Sequence, residues 1–172
     1  MPHKLIIFAV LYVFCFAFIW SCTRVVDHPE IATIPSDFAL SAQYGPGWAS
    51  GAAWTLTVNA DGQAVQKTYS FKKKTTVEKS FQVTADQART LVMSIKESRF
   101  YYLAAEYKGE ITDLETFIIS ATMNNKSHRV LVYAMPGVDD QAAMKRFDSV
   151  WNEIRRILGH PPVEWLEKRS LF

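Results

Sequence analysis

Polar and apolar residues alternate along several short stretches of the chain, and each stretch ends on residues that favour a turn. Trp54-Thr55-Leu56-Thr57-Val58-Asn59 places its large side chains on one face, Asp61-Gly62 supplies a hairpin turn, and Val65 to Phe71 runs back. In the returning strand Val65, Tyr69 and Phe71 share one side and Gln66, Thr68 and Ser70 the other. Phe38 to Ala42 shows a shorter alternation, which predicts one more strand ahead of a Gly-rich turn. Further on, Thr116 to Met123 is apolar with Thr and Ile residues that suit a strand. Asn124-Asn125 tolerates the positive φ of a tight turn, and Ser127 to Ala134 returns, predicting a second hairpin.

Two segments change period from two to 3.6. Thr84-Ala85-Asp86-Gln87 has the spacing of a capping box, with Val83 placed to staple against Ala88. Ala88, Leu91, Val92 and Ile95 then fall on one stripe of a helix that ends near Ser98. After Pro136-Gly137 and Asp139-Asp140, a broader stripe runs through Ala143, Phe147, Val150, Trp151, Ile154, Ile157 and Leu158, predicting a helix of about 19 residues. Arg155 and Arg156 suit the negative end of its dipole, and Gly159, Pro161 and Pro162 stop it. Strand, hairpin, helix, hairpin, helix is the order of an α+β fold. It predicts an antiparallel sheet of four to five strands with two helices packed on one face. The domain is expected over residues 37–162, followed by a tail, 163–172, in which Trp165, Leu166 and Phe172 could dock as a short helix.

The first 22 residues follow neither pattern. Met-Pro-His-Lys precedes an unbroken apolar run from Leu5 to Trp20, the layout of a secretory signal. As a helix those 16 residues reach only about 24 Å, short of a hydrocarbon core of roughly 30 Å. The run ends in Ile19-Trp20-Ser21-Cys22, which resembles the lipobox of bacterial lipoproteins at Ile19, Ser21 and Cys22 and departs from it at Trp20. That resemblance implies cleavage after Ser21, removing residues 1–21, and acylation of Cys22 by diacylglycerol and a further acyl chain such as palmitate. The alternative is an uncleaved signal anchor; in both cases the domain lies outside the cytoplasm. Cys15 would leave with the leader, so the mature chain would keep Cys22 alone and form no internal disulfide. Residues 22–36, with Pro29 and Pro35, read as the lipidated cysteine and an extended tether. In such lipoproteins an Asp after the cysteine favours inner-membrane retention. Thr23 stands there, implying an outer-membrane anchor facing the periplasm.

The stretch from Phe38 to Leu158 also resembles an uncharacterised domain of exported and lipidated bacterial proteins. The likeness rests on Trp54-x-Leu56-x-Val58 leading into Asp61-Gly62, on Arg99-Phe100-Tyr101-Tyr102-Leu103, and on Ile111-Thr112-Asp113 before the next strand. It implies no catalytic residue.

Charge narrows the partners. The chain has 19 Lys and Arg against 17 Asp and Glu; without Lys4 of the leader this becomes 18 against 17. Nucleic-acid binding is not expected from so even a balance, and the run Lys72-Lys73-Lys74 reads as a solvated loop. Of four histidines, His3 is in the leader, His28 in the tether, His160 at a helix end, and only His128 belongs to a strand. No His or Cys pair has metal-ligand spacing, so neither a metal nor a cofactor is expected. Gly45-Pro46-Gly47 with Gly51 lacks the spacing and the following helix of a phosphate loop, and Trp48 breaks a GxSxG elbow around Ser50.

The strongest catalytic candidate is the group Glu106, Glu110, Asp113 and Glu115 around Gly109, which would need to converge in a cleft to hydrolyse an envelope polymer. Against it stands a non-catalytic module binding an envelope protein or glycan. Its handle would be the sheet face opposite the helices, with aromatic residues such as Trp48, Trp54, Tyr101, Tyr102 and Tyr107 available to stack. A purely structural surface lipoprotein is the third reading. The binding module, anchored to the membrane through Cys22, is the expectation carried forward.

Overall fold

The computed structural model describes residues 33–47 and 52–159. The leader, Cys22, nearly all of the predicted tether and the C-terminal tail lie outside these residues, as do Trp48 and Ser50. Among the described residues no helix is long and apolar enough to cross a membrane.

Alternation becomes strand where it was expected: β1 (Ala39–Gly45), β2 (Ala52–Asn59), β3 (Gln63–Ser70), β6 (Thr116–Met123) and β7 (Lys126–Tyr133). Two further strands, β4 (Thr75–Gln82) and β5 (Glu106–Lys108), raise the total to seven, in the order β4-β3-β2-β1-β6-β7-β5. The expected sheet of four to five strands is therefore too small. It is also mixed, since β5 runs parallel to β7 while every other pairing is antiparallel. Both omissions have a physical cause. β4 is an edge strand exposed along almost its whole length, so it needs no apolar face, and Glu78 and Lys79 suit an edge that must not pair further. β5 has three residues, too few to display a period.

Turn chemistry is as the residues require. Gly62 adopts φ 75°, and its N–H donates to the Asn59 carbonyl at 3.0 Å to close the β2–β3 turn. Asn124 and Asn125 have φ 53° and 60° between β6 and β7. Their N–H groups donate to the two carboxylate oxygens of Asp37 at 2.9 and 2.6 Å, tying the start of the domain to a turn far along the chain. These bonds hold the Asp37 carboxyl below its usual range.

Helix α1 (Ala85–Glu97) begins on the capping box: the Thr84 hydroxyl accepts from the Gln87 N–H at 3.2 Å and the Gln87 side chain accepts from the Thr84 N–H at 2.9 Å. It ends at Ser98. Helix α2 (Gln141–Ile157) is capped by Asp140, whose carboxylate accepts from the Ala143 N–H, and has 17 residues. Ala88, Leu91, Val92 and Ile95 of α1 and Phe147, Val150, Trp151 and Ile154 of α2 are buried in one core, against Leu40, Leu56, Val58, Phe117, Ile119 and Val132 of the sheet. Ile34, within the predicted tether, also packs against that core. Trp151 is completely buried; its ring stacks on Trp54 at 5.2 Å and meets the Phe117 ring edge-on at 5.1 Å. Both helices thus lie on one face of the sheet.

Candidate functional site

With the register known, the uncovered face can be read row by row. One row crosses the sheet as Ser80, Val65, Thr57, Ser41, Ser120 and Arg129. The next runs Glu78, Lys67, Thr55, Gln43, Ile118 and Leu131. In β3 the register sends Ala64 to the core, whereas Val65 and Tyr69 stand on the open side. Short neutral polar side chains dominate the middle of this face because β1, β2 and β6 alternate large apolar residues inward with Ser, Thr and Gln outward.

Two hollows interrupt the face. One of about 390 Å³ is lined by Gln43, Thr55, Lys67, Tyr69, Thr76 and Ile118. The other, about 380 Å³, is lined by Ser41, Thr57, Asn59, Gln63, Ser120 and Thr122. The hydroxyls of Ser41, Thr55, Thr57 and Ser120 make no hydrogen bond to another group among the described residues. At the border, Lys67 pairs with Glu78 at 3.1 Å, which cancels charge locally. The Tyr69 ring, 37% exposed, is held edge-on to Phe71 at 4.9 Å.

A family model described as a domain of unknown function, DUF6438, matches residues 43–158. The chain belongs to the DUF6438 family. All three motifs that carried the likeness to an uncharacterised domain fall inside the matched residues. No curated protein matches the chain.

Residues singled out from the sequence are scattered through this DUF6438 domain. Trp54 faces the core. Tyr101 and Tyr107 pack partly against it, and the Tyr107 hydroxyl accepts from the Ala104 N–H at 2.8 Å. Among the described residues Tyr102 alone of the named aromatics stands out, 82% exposed. Of the four carboxylates, Glu106 sits on edge strand β5 paired with Lys108 at 3.0 Å. Glu110 and Asp113 lie exposed in the loop beyond, where the Asp113 N–H donates to the Tyr133 hydroxyl. Glu115 precedes β6 and adds its charge to the surroundings of Tyr44, whose hydroxyl burial already pushes above the usual range. Among the described residues no three His, Cys, Asp or Glu side chains gather as metal ligands. Gly47 has a packing role: a Cβ there would lie 2.0 Å from the Asp113 carbonyl oxygen, so a side chain would drive the two loops apart.

Asp148 is the group the sequence reading missed. It is half-buried on α2, and burial pushes its carboxyl up to about 6 against the opposing pull of Asn152 and Arg155. Asn152 donates to Oδ2 at 3.0 Å, while Oδ1 is buried without a hydrogen-bond partner among the described residues. Arg155 is itself pulled below its usual range by burial. Helical arithmetic was the available signal, since Met144, Asp148, Trp151 and Arg155 follow one another at spacings of four, three and four.

Proposed function

We propose that the domain is a non-catalytic binding module that takes up a neutral glycan of the cell envelope across its open sheet face, held at the membrane by an acylated Cys22. The observation that carries this reading is the patch of Ser41, Thr55, Thr57 and Ser120 hydroxyls, spread over two neighbouring rows of adjacent strands and unengaged by described protein groups. Each such hydroxyl both donates and accepts, as the hydroxyls of a sugar do, and the Lys67–Glu78 pair cancels the charge at its own border of the face. Tyr69 offers a ring at the border for stacking. An outer-membrane anchor facing the periplasm would put envelope polysaccharide within reach of the tether.

The test replaces Thr55 and Thr57 together by valine, which keeps the β-branched shape and deletes two hydroxyls. Two hydrogen bonds at about 0.5–1.5 kcal/mol each predict a loss of about five- to a hundredfold in affinity for isolated envelope glycan. Unchanged binding by the folded double variant, or no binding by the parent chain, would reject the reading. Breakdown of the glycan by the parent, abolished by Glu106→Gln or Glu110→Gln, would replace it with a hydrolase.

A further inference from the structure

On the helix side of the sheet, a third hollow of about 500 Å³ opens where the last turn of α1, the 3-10 turn Phe100–Tyr102 and the β6–β7 hairpin meet. Its walls carry Lys96, Tyr101, Tyr102, Lys126 and His128, over the buried side chain of Met123. No acidic side chain lines it. Neither lysine takes part in an ion pair among the described residues. Asp37, whose charge reaches Tyr101, accepts through both its oxygens from the N–H groups of Asn124 and Asn125.

Local bonds hold the walls in place. The Tyr101 hydroxyl donates to the Lys126 carbonyl at 3.3 Å, joining the 3-10 turn to the hairpin. His128 Nε2 lies 2.9 Å from the Leu103 carbonyl oxygen. A carbonyl only accepts, so Nε2 carries the hydrogen and Nδ1 is left without a partner among the described residues. The Phe100 and Tyr101 rings flank the imidazole at 5.7 and 6.2 Å. Tyr102, by contrast, projects an uncovered ring at the same hollow that the two unpaired lysines line.

We infer that this hollow is a binding site for a phosphate monoester carrying a planar ring. Lys96 and Lys126 bind the phosphate, and Tyr102 stacks on the ring. A monoester carries close to two negative charges near neutrality, matching the two lysines, whereas a carboxylate ligand would bring only one. Its size falls in the range of small-molecule sites. The site rests on groups separate from the open face, because alternation along β7 puts Lys126 and His128 on the helix side and Arg129 on the other.

Calorimetric titration of the full chain with phenyl phosphate, inorganic phosphate and phenol tests this. Phenyl phosphate should bind with a Kd of about 1 mM or below, about tenfold more tightly than inorganic phosphate, and phenol not at all. Lys96→Ala and Lys126→Ala should each weaken phenyl phosphate by about tenfold or more. Both lysines are exposed, so an unchanged melting temperature is expected. Tyr102→Ala should weaken phenyl phosphate and leave inorganic phosphate as it was. The Thr55 and Thr57 valine variant should bind phenyl phosphate like the parent, which separates this site from the proposed glycan face. Absence of phenyl phosphate binding, equal binding of phenol, or full binding by the folded double lysine variant would overturn the inference.

Discussion

Replacing Asp148 by asparagine should stabilise the protein at neutral pH, and only there. The folded structure holds this carboxyl at about 6 against an ordinary value of 3.8. A difference of that size corresponds to about 3 kcal/mol against the charged form for a fully shielded group. Because the side chain is half-buried, solvent screening reduces this to about 1–2 kcal/mol. The sign follows from proton uptake. Between 3.8 and about 6 the folded state binds more protons at this site than the unfolded chain does. The contribution to stability is thus complete below the unfolded value and is lost as pH rises through the folded one. Asparagine copies the neutral acid in size and keeps an acceptor for Asn152. Urea unfolding of parent and Asp148→Asn at pH 3.5 and pH 7.5 provides the comparison. The two should agree at the lower pH, and the variant should gain about 1–2 kcal/mol at the higher. A gain of equal size at both pH values, or a loss at pH 7.5, would refute the assignment of the penalty to the buried charge.

Two further outcomes bear on the core and the anchor. Trp151→Ala should cost about 3–5 kcal/mol in chemical denaturation, since it empties the space between Trp54, Phe117 and Phe147; a parent-like midpoint would contradict the packing described. Mass spectrometry of the membrane-bound protein should find an N-terminus at an acylated Cys22, and Met1 or a free Cys22 thiol there would return the leader to an uncleaved anchor, with Trp20 as the residue to substitute next.

What could be read from the sequence follows from how local each signal is. The capping box at Thr84, the turn residues Asp61-Gly62 and Asn124-Asn125, and the stripe through Trp151 act over two to sixteen residues, and the folded chain uses all of them. β4 was illegible for the opposite reason. Its residues bury almost nothing, Val77 stands 64% exposed, and the strand exists because β3 offers a row of backbone partners from Gln63 to Ser70. β5 depends likewise on the free edge of β7. Edge strands of this sort are specified by their neighbours and leave no hydrophobic period of their own.

The two proposed binding surfaces show the same division at a higher level. That one sheet face would lie opposite the helices was implied by element order alone, but which residues occupy it was decided by register, and register turned Trp54 away from it. Trp54 went to the core because Leu56 and Val58, two and four residues on, are buried there. The same alternation sent Thr55 and Thr57 outward, beside Gln43 and Ser41 of β1. A face expected to grip through large rings is therefore built of hydroxyls, and this shifts the expected partner from a protein with an apolar patch to a ligand rich in hydrogen-bonding groups. The lysine-lined hollow was further out of reach, because Lys96, Tyr102 and Lys126 come from three elements and meet only once α1 has packed beside the β6–β7 hairpin. His128, which in sequence was an unremarkable strand position, acquires a defined tautomer there from the Leu103 carbonyl, 25 residues earlier in the chain.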